Sequence, residues 1–174
     1  IMNWDKRYLE GKVYTEGAVE AASKYVPELR AKGADVVVAL LHGGLDGSAY
    51  AASMENPGLY LSKVAGIDAM VMGHQHSVFP DLSAKPAFSQ SGVDNKAGTI
   101  NGVPAVMANS WGKALGVIQL PLQWDGKKWS VAKAGSKSEL RNIKHQDAAG
   151  SAVLVDDDPA LAPWIEPQHQ TAIS

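Results

Sequence analysis

The chain has 174 residues, of which 45% are hydrophobic and 20% charged, and its 16 basic and 18 acidic residues give a formal net charge of -2. A chain of this length buries roughly 70% of its unfolded surface, which favours one ordinary soluble domain. Because the net charge is close to zero, the sequence lacks the broad basic surface that binding to nucleic-acid polymers or to anionic membranes requires.

Cysteine is absent, which excludes disulfide bonds, thiolate metal sites and a cysteine nucleophile. The longest apolar runs, such as residues 36–41, are far shorter than the ~20 residues of a membrane span, so we expect no membrane segment. The first residues of the chain do not have the pattern of a secretory signal, and since the chain begins with Ile1 we expect its translation start to lie upstream.

Residues 1–14 are mixed and polar and predict no regular element. A helix is predicted over residues 15–32, with Thr15 as its N-cap and Gly33 as its end, although Pro27 should kink it. Its apolar stripe recurs at spacings of three and four: Val19, Ala22, Val26 and Leu29.

Two continuous apolar runs, residues 34–41 and 67–72, predict strands that helices cover on both faces. A short apolar helix is predicted between them, over residues 58–64. A strand–helix–strand unit makes its strands parallel, so both strands should end at the same edge of the sheet.

Further along, residues 80–98 predict a long surface loop and residues 102–107 a third apolar strand. Strands over 115–124 and 129–134 flank Asp125-Gly126, which is a strong hairpin signal. The composition becomes polar after Ile143, and Asp158-Pro159 is typical of a helix start. We therefore expect residues 144–174 to form a linker or the start of a linker helix.

Three histidines follow the two predicted parallel strands directly: His42 follows the first strand, and His74 and His76 follow the second. Neighbouring strands lie about 4.8 Å apart, so these imidazoles can reach one small volume, and His74 and His76 would point the same way if strand geometry continued. Imidazole binds zinc, manganese, iron or cobalt, which makes the cluster a candidate metal site. A histidine at a strand end is also commonly capped or exposed to solvent, and spacing alone leaves both interpretations open.

Other polar and aromatic residues are weaker candidates. His145 and His169 lie in polar surroundings typical of solvent-exposed residues, and Asp46 in its glycine-rich loop is more typical of a turn than of a ligand. Trp111 can line a pocket or belong to the core, and with Asn109 and Gly112 it forms a candidate substrate-binding group.

The segments VVVALLHGG (36–44) and MVMGHQHSVFP (70–80) resemble two metal-binding motifs of the calcineurin-like metallophosphoesterases of the 5'-nucleotidase group. Within that group the chain is similar to bacterial 2',3'-cyclic-nucleotide 2'-phosphodiesterase/3'-nucleotidases. Three further segments extend the resemblance across residues 1–143: KYVPELRAKGADVVV (24–38), GTINGVPAVM (98–107) and Trp111-Gly112 with Leu115-Gly116.

The resemblance implies an α/β fold that is part of a four-layer α/β/β/α sandwich, with two divalent ions (Mn, Zn, Co or Fe) in the intact enzyme. It implies that His42 and His74 bind one metal and His76 the other. The implied substrates are ribonucleoside 2',3'-cyclic phosphates and 3'-nucleotides, and the implied location is periplasmic or secreted.

The chain lacks the Asp-x-His, Gly-Asp and Gly-Asn-His-Glu motifs that would supply the remaining ligands and a catalytic histidine. We therefore expect residues 1–143 to be the C-terminal half of a catalytic domain, whose partners are the N-terminal half and a C-terminal domain of a parent protein. The isolated chain should be inactive and prone to self-association, because half a sandwich leaves apolar sheet surface uncovered. The alternative is a noncatalytic metal-binding or interaction module with a three-histidine site.

Overall fold

A computed structural model describes residues 2–174, which form two compact units: one ends at Arg141 and the other is Asn142–Ser174. The first unit contains three helices, α1 (Met2–Leu9), α2 (Ala18–Ala31) and α3 (Gly58–Leu61). Its strands are β1 (Val38–Leu41), β2 (Ala69–Met72), β3 (Val78–Phe79), β4 (Val93–Asp94), β5 (Thr99–Ile100), β6 (Val103–Ala108), β7 (Ala114–Gln119), β8 (Leu122–Trp124), β9 (Trp129–Val131) and β10 (Lys137–Asn142), which reaches the boundary.

The main sheet has six strands in the order β1-β2-β6-β5-β4, with β3 also paired to β6. β1 pairs with β2 and β2 with β6 in parallel, which confirms the predicted strand–helix–strand unit and makes all three strands end at one edge. β3, β4 and β5 add antiparallel pairings. The chain is therefore an α/β protein, as predicted.

One face of the main sheet forms the core. Met70 and Met107 have no exposed surface and Met72 is 5% exposed, and all three pack in a single hydrophobic cluster with residues of α2 and α3. The register pairs Met70 with Ala105 and Met72 with Met107, so these side chains share the face that the helices cover.

The opposite face is covered only in part, and the prediction of strands buried on both faces is wrong for β1. Val38 is 45% and Leu40 80% exposed on this face, and Val71, the register partner of Leu40, is 40% exposed. At β6, Val106 on the same face is buried, because Gly116 of β7 packs against it. β7 pairs with β10 in a second, two-stranded sheet. This second sheet covers β6 on this face but does not extend over β2 and β1.

Several helices and strands begin or end at other residues than the sequence predicts. Residues 2–9 form a helix where none was predicted, and α2 starts after Gly17, so Thr15 is not its N-cap. α2 continues through Pro27. The predicted strand over 115–124 is wrong as one element: it divides into β7 and β8 around Pro121, which has no N–H to donate to a ladder.

The hairpin prediction is confirmed, because β8 and β9 are antiparallel and pair Trp124 with Trp129. The Asp125 side chain accepts hydrogen bonds from the backbone N–H groups of Lys127 and Lys128, at 2.8 and 2.9 Å. This is the mechanism by which Asp followed by Gly favours a tight turn.

The second unit consists of a short hairpin, β11 (Lys144–Gln146) and β12 (Ala152–Leu154), followed by helix α4 (Ala162–Ile173). The helix start predicted at Asp158-Pro159 is wrong, because α4 begins at Ala162 and carries Pro163 in its first turn, where a missing N–H costs nothing. Across the described residues, no helix is both long and apolar enough to cross a membrane.

Candidate metal centre

The carboxyl ends of β1 and β2 bring two imidazoles together. His42 follows β1 directly and His74 lies in the loop after β2. The Nε2 atom of His42 and the Nδ1 atom of His74 lie 3.3 Å apart, and the ring centroids are 5.1 Å apart. The parallel pairing of the two strands is what places both side chains at this edge.

Gln75 fixes the two histidine loops to each other. Its side-chain oxygen accepts from the backbone N–H of Leu45 at 2.7 Å, and its amide nitrogen donates to the Leu45 carbonyl at 3.2 Å. The backbone N–H of Gly73 also donates to the Gly43 carbonyl at 3.2 Å. A Cβ at Gly44 would lie 1.8 Å from Gln75 Oε1, so this clamp requires glycine there. The Gly43-Gly44 pair thus serves close approach of two loops.

A carboxylate that the sequence analysis missed contacts His74 on the side away from His42. Glu55 Oε1 accepts a hydrogen bond from His74 Nε2 at 2.9 Å and another from the Trp4 indole N–H. The indole hydrogen bond is the main cause that lowers the pKa of Glu55, and His74 lowers it further. The only signal in the sequence is that an acidic residue lies in the loop between the two histidine motifs. Glu55 has no characteristic spacing from either motif that would single it out.

His76 lies beside the pair but does not continue strand geometry. His74 and His76 have φ values of 68° and 52°, in the left-handed region, so the condition under which they would point the same way is not met. Both side chains line the same cleft as His42. Of the three histidines, His74 is partly buried and the other two are exposed.

The cleft has a volume of about 1150 Å³. Its acidic lining residues are Asp5, Glu16, Glu20 and Glu55, and the aromatic ones are Trp4 and Tyr14. Ligand clefts commonly have volumes of about 300–1,000 Å³, so this one has room for a nucleotide-sized molecule. The three histidines lie in its wall.

The spacing of the two imidazole nitrogens, which is also that of a hydrogen bond, is compatible with a shared metal ion. Two nitrogen ligands bound at about 2.0–2.1 Å in tetrahedral geometry lie about 3.3–3.4 Å apart. The observed 3.3 Å between His42 Nε2 and His74 Nδ1 matches that separation. In the part of the chain that the structure describes, no group of three or more histidine or acidic side chains is gathered closely enough to hold an ion. An ion at the His42–His74 pair would therefore take its remaining ligands from water or from another part of a larger protein.

The substrate-binding candidates follow β6 at the same sheet edge. The backbone N–H of Asn109 donates to the Ser77 carbonyl at 2.9 Å, which ties this loop to the residue after His76. Trp111 is 89% exposed, so it is not a core residue. Asn109, Trp111 and Gly112 are not among the residues that line the cleft.

The weaker candidates behave as polar surface residues. Asp46 accepts from the backbone N–H and hydroxyl of Ser48 at 2.8 and 2.7 Å, which confirms the turn interpretation; the Ser48 backbone bond lowers the pKa of Asp46. His145 and His169 are exposed, as predicted.

Comparison with known proteins finds relatives that match nearly the whole of this chain. The chain is 45% identical over 169 residues to the 2',3'-cyclic-nucleotide 2'-phosphodiesterase/3'-nucleotidase of Salmonella typhimurium, which covers 97% of this chain and 25% of that protein. It is 46% identical over 145 residues to the trifunctional nucleotide phosphoesterase protein YfkN of Bacillus subtilis, covering 82% of this chain and 10% of that protein. No family model matches the chain.

The fold gives the same result. The crystal structure of the calcineurin-like phosphoesterase YfkN from Bacillus subtilis matches with a TM-score of 0.81 and 39% identity, over 98% of this chain and 48% of that chain. Over almost its whole length, the chain is similar to part of a calcineurin-like phosphoesterase. The resemblance of the chain to this family, predicted from its sequence, is thereby confirmed.

The chain is short beside its relatives. It spans about a quarter of the length of the nucleotidases from Salmonella typhimurium and Yersinia enterocolitica, and 48% of the solved structure. The chain therefore corresponds to one segment of those larger proteins.

Proposed function

We propose that this chain is the segment of a two-metal phosphohydrolase that supplies His42, His74 and His76 as metal ligands. The substrates of the whole enzyme are ribonucleoside 2',3'-cyclic phosphates and 3'-nucleotides, as the names of the relatives state for those proteins. The observation that carries the proposal is the 3.3 Å approach of His42 Nε2 and His74 Nδ1 at the carboxyl edge of parallel strands. Ligands bind at this edge in open α/β sheets.

Two divalent ions, when bound, make a metal-bound water acidic and stabilise the leaving oxygen of an in-line displacement at phosphorus. The residues of this chain orient that chemistry. His42 and His74 would hold one ion and His76 would contribute to the other, while the Gln75 clamp ties the two loops together. The acidic residues that line the cleft would favour the binding of divalent cations there.

The bridging carboxylate and the catalytic histidine belong to family motifs that this sequence does not contain. We therefore expect the isolated chain to hydrolyse these substrates far more slowly than a complete catalytic domain. The proposal includes a periplasmic or secreted location, for which the family resemblance is the support. The enzymatic names of the relatives favour a hydrolase over a noncatalytic metal-binding module.

A chimera tests the proposed function. The segment of Bacillus subtilis YfkN that matches this chain is replaced by the chain itself, and phosphate release from 2',3'-cyclic AMP and 3'-AMP is measured. We expect a folded, active chimera that loses at least about 100-fold in kcat/KM on His74→Ala, because a metal ligand is removed. The control His145→Ala should keep the chimera's activity. A folded chimera without activity, or one that His74→Ala leaves unchanged, would contradict the proposal.

A further inference from the structure

The carboxylate of Glu55 lies against the histidine pair, although the metal-ligand set does not include it. We propose that Glu55 is a positioning residue that selects the ring nitrogen with which His74 faces the metal. The inference rests on the proposed function, since it assumes that His74 is a ligand.

The contacts of His74 distinguish its two nitrogens. Nε2 lies 2.9 Å from Glu55 Oε1, and Nδ1 lies 3.3 Å from His42 Nε2. An ionised carboxylate only accepts hydrogen bonds, so Nε2 must carry the hydrogen. A neutral imidazole has one N–H, which leaves the lone pair on Nδ1, directed at His42. Glu55 thus imposes the tautomer in which Nδ1 can coordinate.

The loop of Glu55 is fixed to the loop that carries His42. The side-chain oxygen of Asn56, the next residue, accepts from the backbone N–H of Gly44 at 2.8 Å. The N–H of Gly58 donates to the Gly44 carbonyl at 2.9 Å, and Leu45 forms an isolated bridge with Pro57. These contacts tie the Glu55 loop to the His42 loop, and the His74 ring lies between Glu55 and His42.

The position of Glu55 favours this role over that of a direct ligand. Its carboxylate holds the nitrogen that faces away from His42, whereas a metal shared by the two histidines lies on the Nδ1 side. Carboxylates that accept from the second nitrogen of a ligating histidine raise ligand basicity and fix its orientation, and their loss typically costs about 10–100-fold in metal affinity.

The test compares the whole chain with its Glu55→Ala, Glu55→Gln and Glu28→Gln variants. Glu28 is an exposed helix residue that pairs with Lys32, outside the cleft, and serves as the matched control. Long-range ¹H–¹⁵N spectra of the metal-free chain report the His74 tautomer, and calorimetry with Zn²⁺ alone reports affinity. Circular dichroism verifies folding of each variant.

We expect His74 to carry its hydrogen on Nε2 in the parent chain and in Glu55→Gln, whose side-chain oxygen still accepts. Glu55→Ala should give a mixture of tautomers and about 10–100-fold weaker Zn²⁺ binding. The Glu28→Gln variant should match the parent chain. Rescue by glutamine separates positioning from direct ligation, because a glutamine oxygen is a poor substitute for a carboxylate ligand.

Three results would overturn the inference: the Nδ1–H tautomer in the parent chain, an unchanged tautomer in Glu55→Ala, or Zn²⁺ affinity lost equally in Glu55→Gln and Glu55→Ala. If the proposed function is wrong, the same measurements give a different result. In that case Zn²⁺ binding is indifferent to His74→Ala, while the metal-free spectra still report whether Glu55 sets the tautomer.

Discussion

At the scale of single residues, the close approach of His42 and His74 restricts what can lie between the two rings. Two imidazole lone pairs directed at each other across 3.3 Å repel, so a proton or a cation must lie between His42 Nε2 and His74 Nδ1. In the metal-free chain one ring donates its hydrogen to the other. An ion held by both nitrogens would take the place of that hydrogen, which would move to the other nitrogen of its ring, so metal binding would change the tautomer of one histidine.

The backbone around this pair is strained. Four non-glycine residues in the loops after β2 and β6 have left-handed φ values: His74, His76, Asn109 and Trp111. A left-handed conformation costs an L-residue roughly 1–2 kcal/mol, and such residues cluster at functional sites where surrounding contacts enforce them. We attribute this strain to the need to direct side chains at the sheet edge.

The strain at His76 gives a prediction about stability. His76→Gly and His76→Ala both remove the exposed imidazole, but only alanine keeps a Cβ at φ 52°. We expect His76→Gly to be about 1 kcal/mol more stable than His76→Ala, because glycine relieves the left-handed strain. Urea unfolding of the two variants measures the difference. Equal stabilities, or a more stable alanine variant, would mean that His76 is not strained.

At the scale of secondary structure, one arginine anchors α2 to the strand–helix–strand unit. Arg30 donates to the carbonyls of Ala34 at 3.0 Å, Asp35 at 2.6 Å and Gly66 at 2.7 Å, and it pairs with Asp68. The Asp68 carboxylate also accepts from the backbone N–H of Val37 at 2.8 Å. Asp68 precedes β2, at the edge opposite the histidines, so its role is structural.

We expect Arg30→Ala to lower the free energy of unfolding by about 2–3 kcal/mol, because it leaves Asp68 and three carbonyls without their charged donor. Lys24→Ala, on the exposed side of the same helix, should change it by less than about 0.5 kcal/mol. Chemical denaturation of both variants measures the contrast. If the two substitutions cost the same, the arginine does not anchor the helix.

The elements differ in how far sequence could predict them. The apolar runs before His42 and His74 predicted two parallel strands correctly, because hydrophobic periodicity is a local signal. Sequence could not predict that Leu40 is exposed, since an apolar run indicates that a strand can be covered without showing what covers it. Glu55 was missed because its contact with His74 is made by tertiary structure, and the direction of His76 because its backbone is left-handed.

At the scale of the whole molecule, the main sheet has an uncovered apolar face and an open edge. β1 has a strand partner on one side only among residues 2–174, and its Val38 and Leu40 are exposed beside Val71 of β2. Apolar strands at a sheet edge are templates for association with another chain. The solved relative is about twice as long as this chain, so other parts of such a protein are available to cover this face.

The uncovered face predicts self-association of the isolated chain. Leu40→Asp should shift the chain toward the monomer, because it places a charge on the exposed face of β1 without disturbing the core. Leu82→Asp is the control: Leu82 is 79% exposed and Leu40 80%, but Leu82 lies in the loop before β4. Sedimentation velocity measures the assembly state. A parent chain that is monomeric at every concentration would contradict this prediction.

The central claim is that His42 and His74 share a metal ion, and anomalous diffraction from crystals of the chain grown with Zn²⁺ tests it most directly. The account predicts an anomalous peak between the histidines, at about 2.0–2.1 Å from His42 Nε2 and from His74 Nδ1. Well-ordered crystals with no peak at this position, or with zinc only at His145 or His169, would contradict it.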